Sequence, residues 1–75
     1  MQLPPQQSRC LWYLAMGMTY DEIGKNMGLS SRTVETYISI IKKKTGKSGR
    51  SELTHWFLLH KERLWNNREG IRVYV

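Results

Sequence analysis

The chain has 75 residues, 12 Lys and Arg against 6 Asp and Glu, and a net charge of +6. At 40% hydrophobic and 11% aromatic it is too apolar for a disordered basic tail. A chain this short buries only ~60% of its unfolded surface, which leaves no room for two lobes around a substrate cleft. Its single cysteine, Cys10, excludes an internal disulfide framework. No apolar run approaches the ~20 residues that span a membrane, and the start has no positive cluster followed by an apolar stretch. These features predict one small, basic, cytoplasmic domain.

Proline suits a first helical turn, so a first helix is predicted to start at Pro5. Leu11, Leu14, Ala15 and Met18 form its apolar stripe, and Gly17 marks its end. Thr19 and Glu22 have the spacing of a capping box, which predicts a short second helix from Tyr20 to about Met27. Tyr20, Ile23 and Met27 face inward, and Gly28 closes the helix. Ser30 is a good N-cap for a third helix from Ser31 to about Thr45. Val34, Ile38 and Ile41 lie on one side of it. Arg32, Thr36, Ser39 and Lys43 lie on the other, and Gly46 stops it. A fourth helix is predicted from about Arg50 to Trp65. Leu53, Phe57, His60 and Leu64 form one stripe, and Thr54, Leu58, Lys61 and Trp65 form a second. Leu59 and an exposed Trp56 add apolar surface, so this helix is expected to bury one face against a partner. Residues 66–75 have no helical period. Ile71, Val73 and Val75 alternate weakly, and the segment is expected to be an irregular, flexible tail beyond a domain spanning 1–65.

The charge is unevenly placed. From Ser31 to Arg50 the basic residues Arg32, Lys42, Lys43, Lys44, Lys47 and Arg50 face one acid, Glu35, so six minus one leaves +5 of the +6. Such a run is either a solvated face or a footprint for phosphates. The order of elements favours the second: a short helix, a Gly-containing turn and a longer helix with a polar outer face form a helix-turn-helix. In that motif the second helix enters the major groove. Lysines at a helix C-terminus also suit the macrodipole, but three in succession exceed what a cap requires.

Several stretches carry a family resemblance at matching spacing. They are Gly17-Met18-Thr19-Tyr20-Asp21-Glu22-Ile23-Gly24, Leu29-Ser30, Thr33-Val34-Glu35-Thr36-Tyr37-Ile38 and Gly46, followed by Arg50-Ser51-Glu52. Together they resemble the LuxR/GerE-type DNA-binding domain over about Leu3 to Leu64. The resemblance implies an all-α, four-helix domain whose second and third helices form the helix-turn-helix. It also implies a bacterial transcription regulator that binds double-stranded DNA as a homodimer joined through the fourth helix. Base-reading positions carried over are Glu35, Thr36 and Ser39. Phosphate contacts fall at Thr19, Tyr20, Arg32, Thr33, Lys43 and Lys44, and the charge pattern adds Lys42. The dimer surface falls on Thr54, Leu58, Leu59, Lys61 and Trp65. In this family a sensory or receiver domain usually precedes the DNA-binding domain, so the chain is read as a fragment or as a regulator controlled by abundance or by a protein partner.

The chain departs from the pattern in places. Gln6-Gln7-Ser8-Arg9 stands for a charged stretch, Tyr37 for a frequent histidine, Thr45 for a leucine and Lys47 for a valine. Glu35 is an acceptor, suited to cytosine N4 and repelled by phosphate. The alternative reading is a protein-interaction module that keeps the fold and works through the fourth helix without DNA. No catalytic, metal or cofactor site is expected. His55 and His60 are a poor metal pair at a spacing of five, and Cys10 beside an apolar stripe reads as a structural thiol.

Overall fold

The structure, a computed structural model, describes residues 3–65, with side chains to Lys61. The expectations for 66–75, and those for the Leu64 and Trp65 side chains, fall outside this range. Four helices follow in order: α1 (Pro5–Ala15), α2 (Tyr20–Met27), α3 (Ser31–Thr45) and α4 (Arg50–Trp65). No helix among the described residues is long and apolar enough to cross a membrane.

Local chemistry fixes the ends. Pro5 opens α1, where a missing N–H costs nothing. The buried Ser8 hydroxyl donates to the Leu3 carbonyl at 3.4 Å, which folds the preceding segment back and buries Leu3. The capping box at α2 is complete: Glu22 N–H donates to Thr19 Oγ1 at 3.1 Å, and Thr19 N–H donates to Glu22 Oε1 at 2.9 Å. Gly28 closes α2 in the left-handed region at φ 70°, a conformation that a side chain would strain. Ser30 Oγ then accepts Thr33 N–H at 3.1 Å and starts α3.

The turn between α2 and α3 is tight. Leu29 N–H donates to the Gly24 carbonyl at 2.8 Å. A Cβ on Gly24 would stand 2.4 Å from the Leu29 carbonyl oxygen, closer than backbone can tolerate. Gly24 is therefore the residue that lets α3 leave the turn at this angle.

The core gathers one face from each helix. Cys10, Leu11 and Leu14 come from α1 and Ile23 from α2. Val34, Ile38 and Ile41 come from α3, and Leu53, Trp56 and Phe57 from α4. Helix α4 packs chiefly along α1, while α2 packs on α3. Burial of Cys10 pushes its thiol pKa up to about 11, and its Sγ–H points at Met27 Sδ at 3.4 Å.

One expectation is corrected. Trp56 is buried, at 8% exposure, and stacks on His60 with ring centroids 4.4 Å apart. Its large ring reaches the core from a position three residues after Leu53, so it belongs with Leu53 and Phe57. Leu58 and Leu59, by contrast, stay 55% and 67% exposed.

Candidate nucleic-acid interface

Helix α3 divides sharply into two sides. Val34, Ile38 and Ile41 are at most 1% exposed and hold it to the other helices. On the opposite side Arg32, Glu35, Thr36, Ser39 and Lys43, with Ile40, line one shallow concavity. Positions 32, 36, 39 and 43 recur at four- and three-residue steps, so a single outward stripe carries them. Glu35 flanks that stripe one turn from the helix start.

The side chains on this face differ in what they still offer. Thr36 Oγ1 donates to the Arg32 carbonyl at 3.1 Å, which occupies its proton and leaves its lone pairs and methyl outward. Among the described residues no hydrogen bond or ion pair engages Glu35 or Ser39. Both are exposed, so each keeps its full bonding capacity.

The remaining cations stand on two flanks. Lys42 is half-buried and shares a small cleft with Tyr20, Ile38 and Arg50 at the junction of α2, α3 and α4. Lys44 lies on the other side, where its Nζ donates to Gln7 Oε1 at 3.3 Å. Thr19 accepts from Glu22 in the capping box and keeps its hydroxyl proton to give. Thr33 is half-buried, with its hydroxyl 3.0 Å from that of Ser30. The expected reading residues thus meet on one surface together with Arg32 and Lys43, whereas Lys42 and Lys44 stand on its two flanks.

This is a helix-turn-helix with a polar, outward second helix, and the sequence profile of the bacterial regulatory proteins of the LuxR family (GerE) matches residues 1–57. The chain belongs to that family. No curated protein and no solved structure matches it.

The LuxR-family domain holds three long-range side-chain links. Tyr37 donates its phenol proton to Gln6 Oε1 at 2.9 Å, joining α3 to α1 across 31 residues. Lys44 and Gln7 make a second link between the same helices. The two glutamines therefore tie α1 to α3 through neutral acceptors. Arg50 Nη2 donates to the carbonyl of Leu14 at 3.1 Å and also to that of Met18. Arg50 belongs to the basic residues of the charged segment, but part of its guanidinium ties the start of α4 to the last turn of α1 at Leu14 and to the α1–α2 connection at Met18. Of the three, only Arg50 had a sequence signal, its place in the Arg50-Ser51-Glu52 match.

The start of α4 has its own cap. Glu52 Oε1 accepts the backbone N–H groups of Ser48 at 3.0 Å and Gly49 at 3.3 Å. Those bonds, first that from Ser48, hold the Glu52 carboxyl below its ordinary pKa. His60 sits over Trp56 with Nδ1 at 2.9 Å from the Trp56 carbonyl. Among the described residues no group of three His, Cys, Asp or Glu side chains could hold a metal ion.

Proposed function

We propose that this domain binds double-stranded DNA with the outer face of α3 in the major groove and regulates transcription as a homodimer paired through α4. The division of α3 into a buried apolar side and an outward polar side carries the reading. Arg32, Thr36, Ser39 and Lys43 share the outward stripe, and Glu35 stands beside it. Arg32 and Lys43 reach phosphates at its two ends, while Glu35, Thr36 and Ser39 face base edges. Tyr20 with Lys42 on one flank, and Lys44 on the other, meet the two backbones, with Thr19 and Thr33 contributing hydroxyl protons. The exposed Leu58 and Leu59 support pairing of α4 with a second copy, together with Thr54, Lys61 and Trp65.

Salt dependence tests the DNA half of this proposal. About 4–6 phosphate contacts per monomer imply a log–log slope of binding against salt of roughly −4 to −5. Replacing Lys43 and Lys44 with alanine is expected to weaken binding to all duplexes alike and to flatten the slope by roughly two. A double variant that binds duplex DNA as tightly as the parent at moderate salt overturns it.

A second reading has an observation of its own. Leu58 and Leu59 would equally serve a different protein, with the fold retained and DNA not engaged. The burial of Trp56 removes one support for that reading, because its indole belongs to the core.

A further inference from the structure

We infer that Glu35 selects a cytosine at one fixed position of each half-site, and that it is the main specificity-determining residue of the α3 surface. The inference rests on the DNA-binding reading above and goes further by naming the base. It begins from a cost. Glu35 is the one acid among the residues from Ser31 to Arg50, set among cations on a face otherwise suited to polyanions. A carboxylate there opposes every phosphate that approaches, so it weakens sequence-independent binding. Nothing in the fold repays this. Glu35 is exposed, it lies outside the core, and among the described residues no hydrogen bond or ion pair engages it. It is not a helix-start acid either, because Ser30 already caps α3 and Glu35 lies past the first turn.

The neighbours narrow the role. Thr36 has committed its proton to the Arg32 carbonyl, so it offers a methyl and weak acceptor lone pairs. Ser39 keeps a hydroxyl, which pairs with either a donor or an acceptor and discriminates little. Glu35 is the one carboxylate on the concave face, a group that accepts hydrogen bonds and does not donate them. In the major groove, cytosine N4 and adenine N6 both present donors. Adenine places its N7 acceptor beside N6, which repels a carboxylate, whereas cytosine N4 has no N7 at its side. A carboxylate on this surface therefore favours cytosine. Arg32, one turn earlier on the same face, supplies a donor for a phosphate beside that cytosine.

Selection from a random duplex pool with the whole chain, followed by titration of the selected site, tests this. The parent is expected to enrich a cytosine at one position per half-site, and exchanging that base pair should weaken binding on the order of tenfold. Glu35→Ala is expected to lose that preference and keep the others, while binding unselected DNA more tightly. Glu35→Gln is expected to move the preference to adenine, because a side-chain amide matches adenine N6 and N7. The same cytosine preference in parent and Glu35→Ala, or a parent with no preferred cytosine, overturns the inference and leaves DNA binding standing. A parent that selects no duplex at all overturns the DNA-binding reading itself, and this inference with it.

Discussion

The outer faces of α3 and α4 are both turned away from the core, yet they are chemically opposite. On α3 the outward side chains are short, polar or charged, and two of them, Glu35 and Ser39, hold bonding groups in reserve. On α4 the outward side chains include Leu58 and Leu59, more than half exposed, next to a lysine. Water solvates the first face well and the second poorly, so the two are suited to different partners. A hydrated polyanion suits α3, and a surface that removes leucines from water suits α4. The inward faces of both helices are alike, aliphatic or aromatic and buried. Stability in this domain is therefore set on the inside, while the two outer faces differ in the partners they suit.

Substitutions separate those two roles. The largest effect is expected on the inside of α3. Ile38→Ala removes a side chain that is 1% exposed and should cost about 2–5 kcal/mol of stability. A domain of this length holds on the order of 4–11 kcal/mol in total. Urea unfolding should show a midpoint far below the parent's, and an unchanged midpoint would break the claim that α3 is anchored from this side. On the outside of α4, Leu58→Asp should alter stability by no more than about 0.5 kcal/mol. It should nevertheless abolish self-association in a sedimentation concentration series. A variant that still pairs like the parent would move the dimer surface elsewhere.

The smallest effect belongs to the cap that leads into α4. The Glu52 carboxyl is held below its ordinary pKa in the folded state, so the stabilisation it gives is complete above the ordinary carboxylate range. That stabilisation is lost as pH falls through the depressed folded value. Glu52→Gln should accordingly show a shallower loss of stability on acidification than the parent, with the two curves differing by a constant offset at neutral pH. Parallel curves through the acidic range would show that the carboxyl charge contributes nothing.

The elements were legible in the sequence wherever their signals are local. Pro5, Thr19 with Glu22, Ser30, Gly28 and Gly46 act within one turn of themselves, and each stands where its spacing placed it. The two sides of α3 were legible for the same reason, since a 3.6-residue period needs no tertiary knowledge. Trp56 was misread because periodicity counts direction and not reach, and an indole at the edge of a stripe extends into the core. Links such as Tyr37 to Gln6 and Arg50 to Leu14 join residues 31 and 36 apart, and no local pattern encodes such a pairing. Gly24 is a subtler case. The short second helix was evident, but the 2.4 Å approach that excludes a Cβ depends on where the following turn comes to rest. On the candidate interface, the residue types on the outer face were visible in advance. The proton that Thr36 gives to its own helix was not.

Cys10 gives the molecule a chemical clock. It is the single sulfhydryl in the chain, it is fully buried, and its pKa near 11 keeps it protonated at neutral pH. Thiol reagents attack the thiolate, which burial in the folded domain withholds and which the opened chain offers at the small fraction of an ordinary thiol. The rate at which an alkylating reagent consumes this one group is then a direct measure of how often the domain opens. DNA or a second copy bound to the closed form slows that rate in proportion to its occupancy, whichever face it covers.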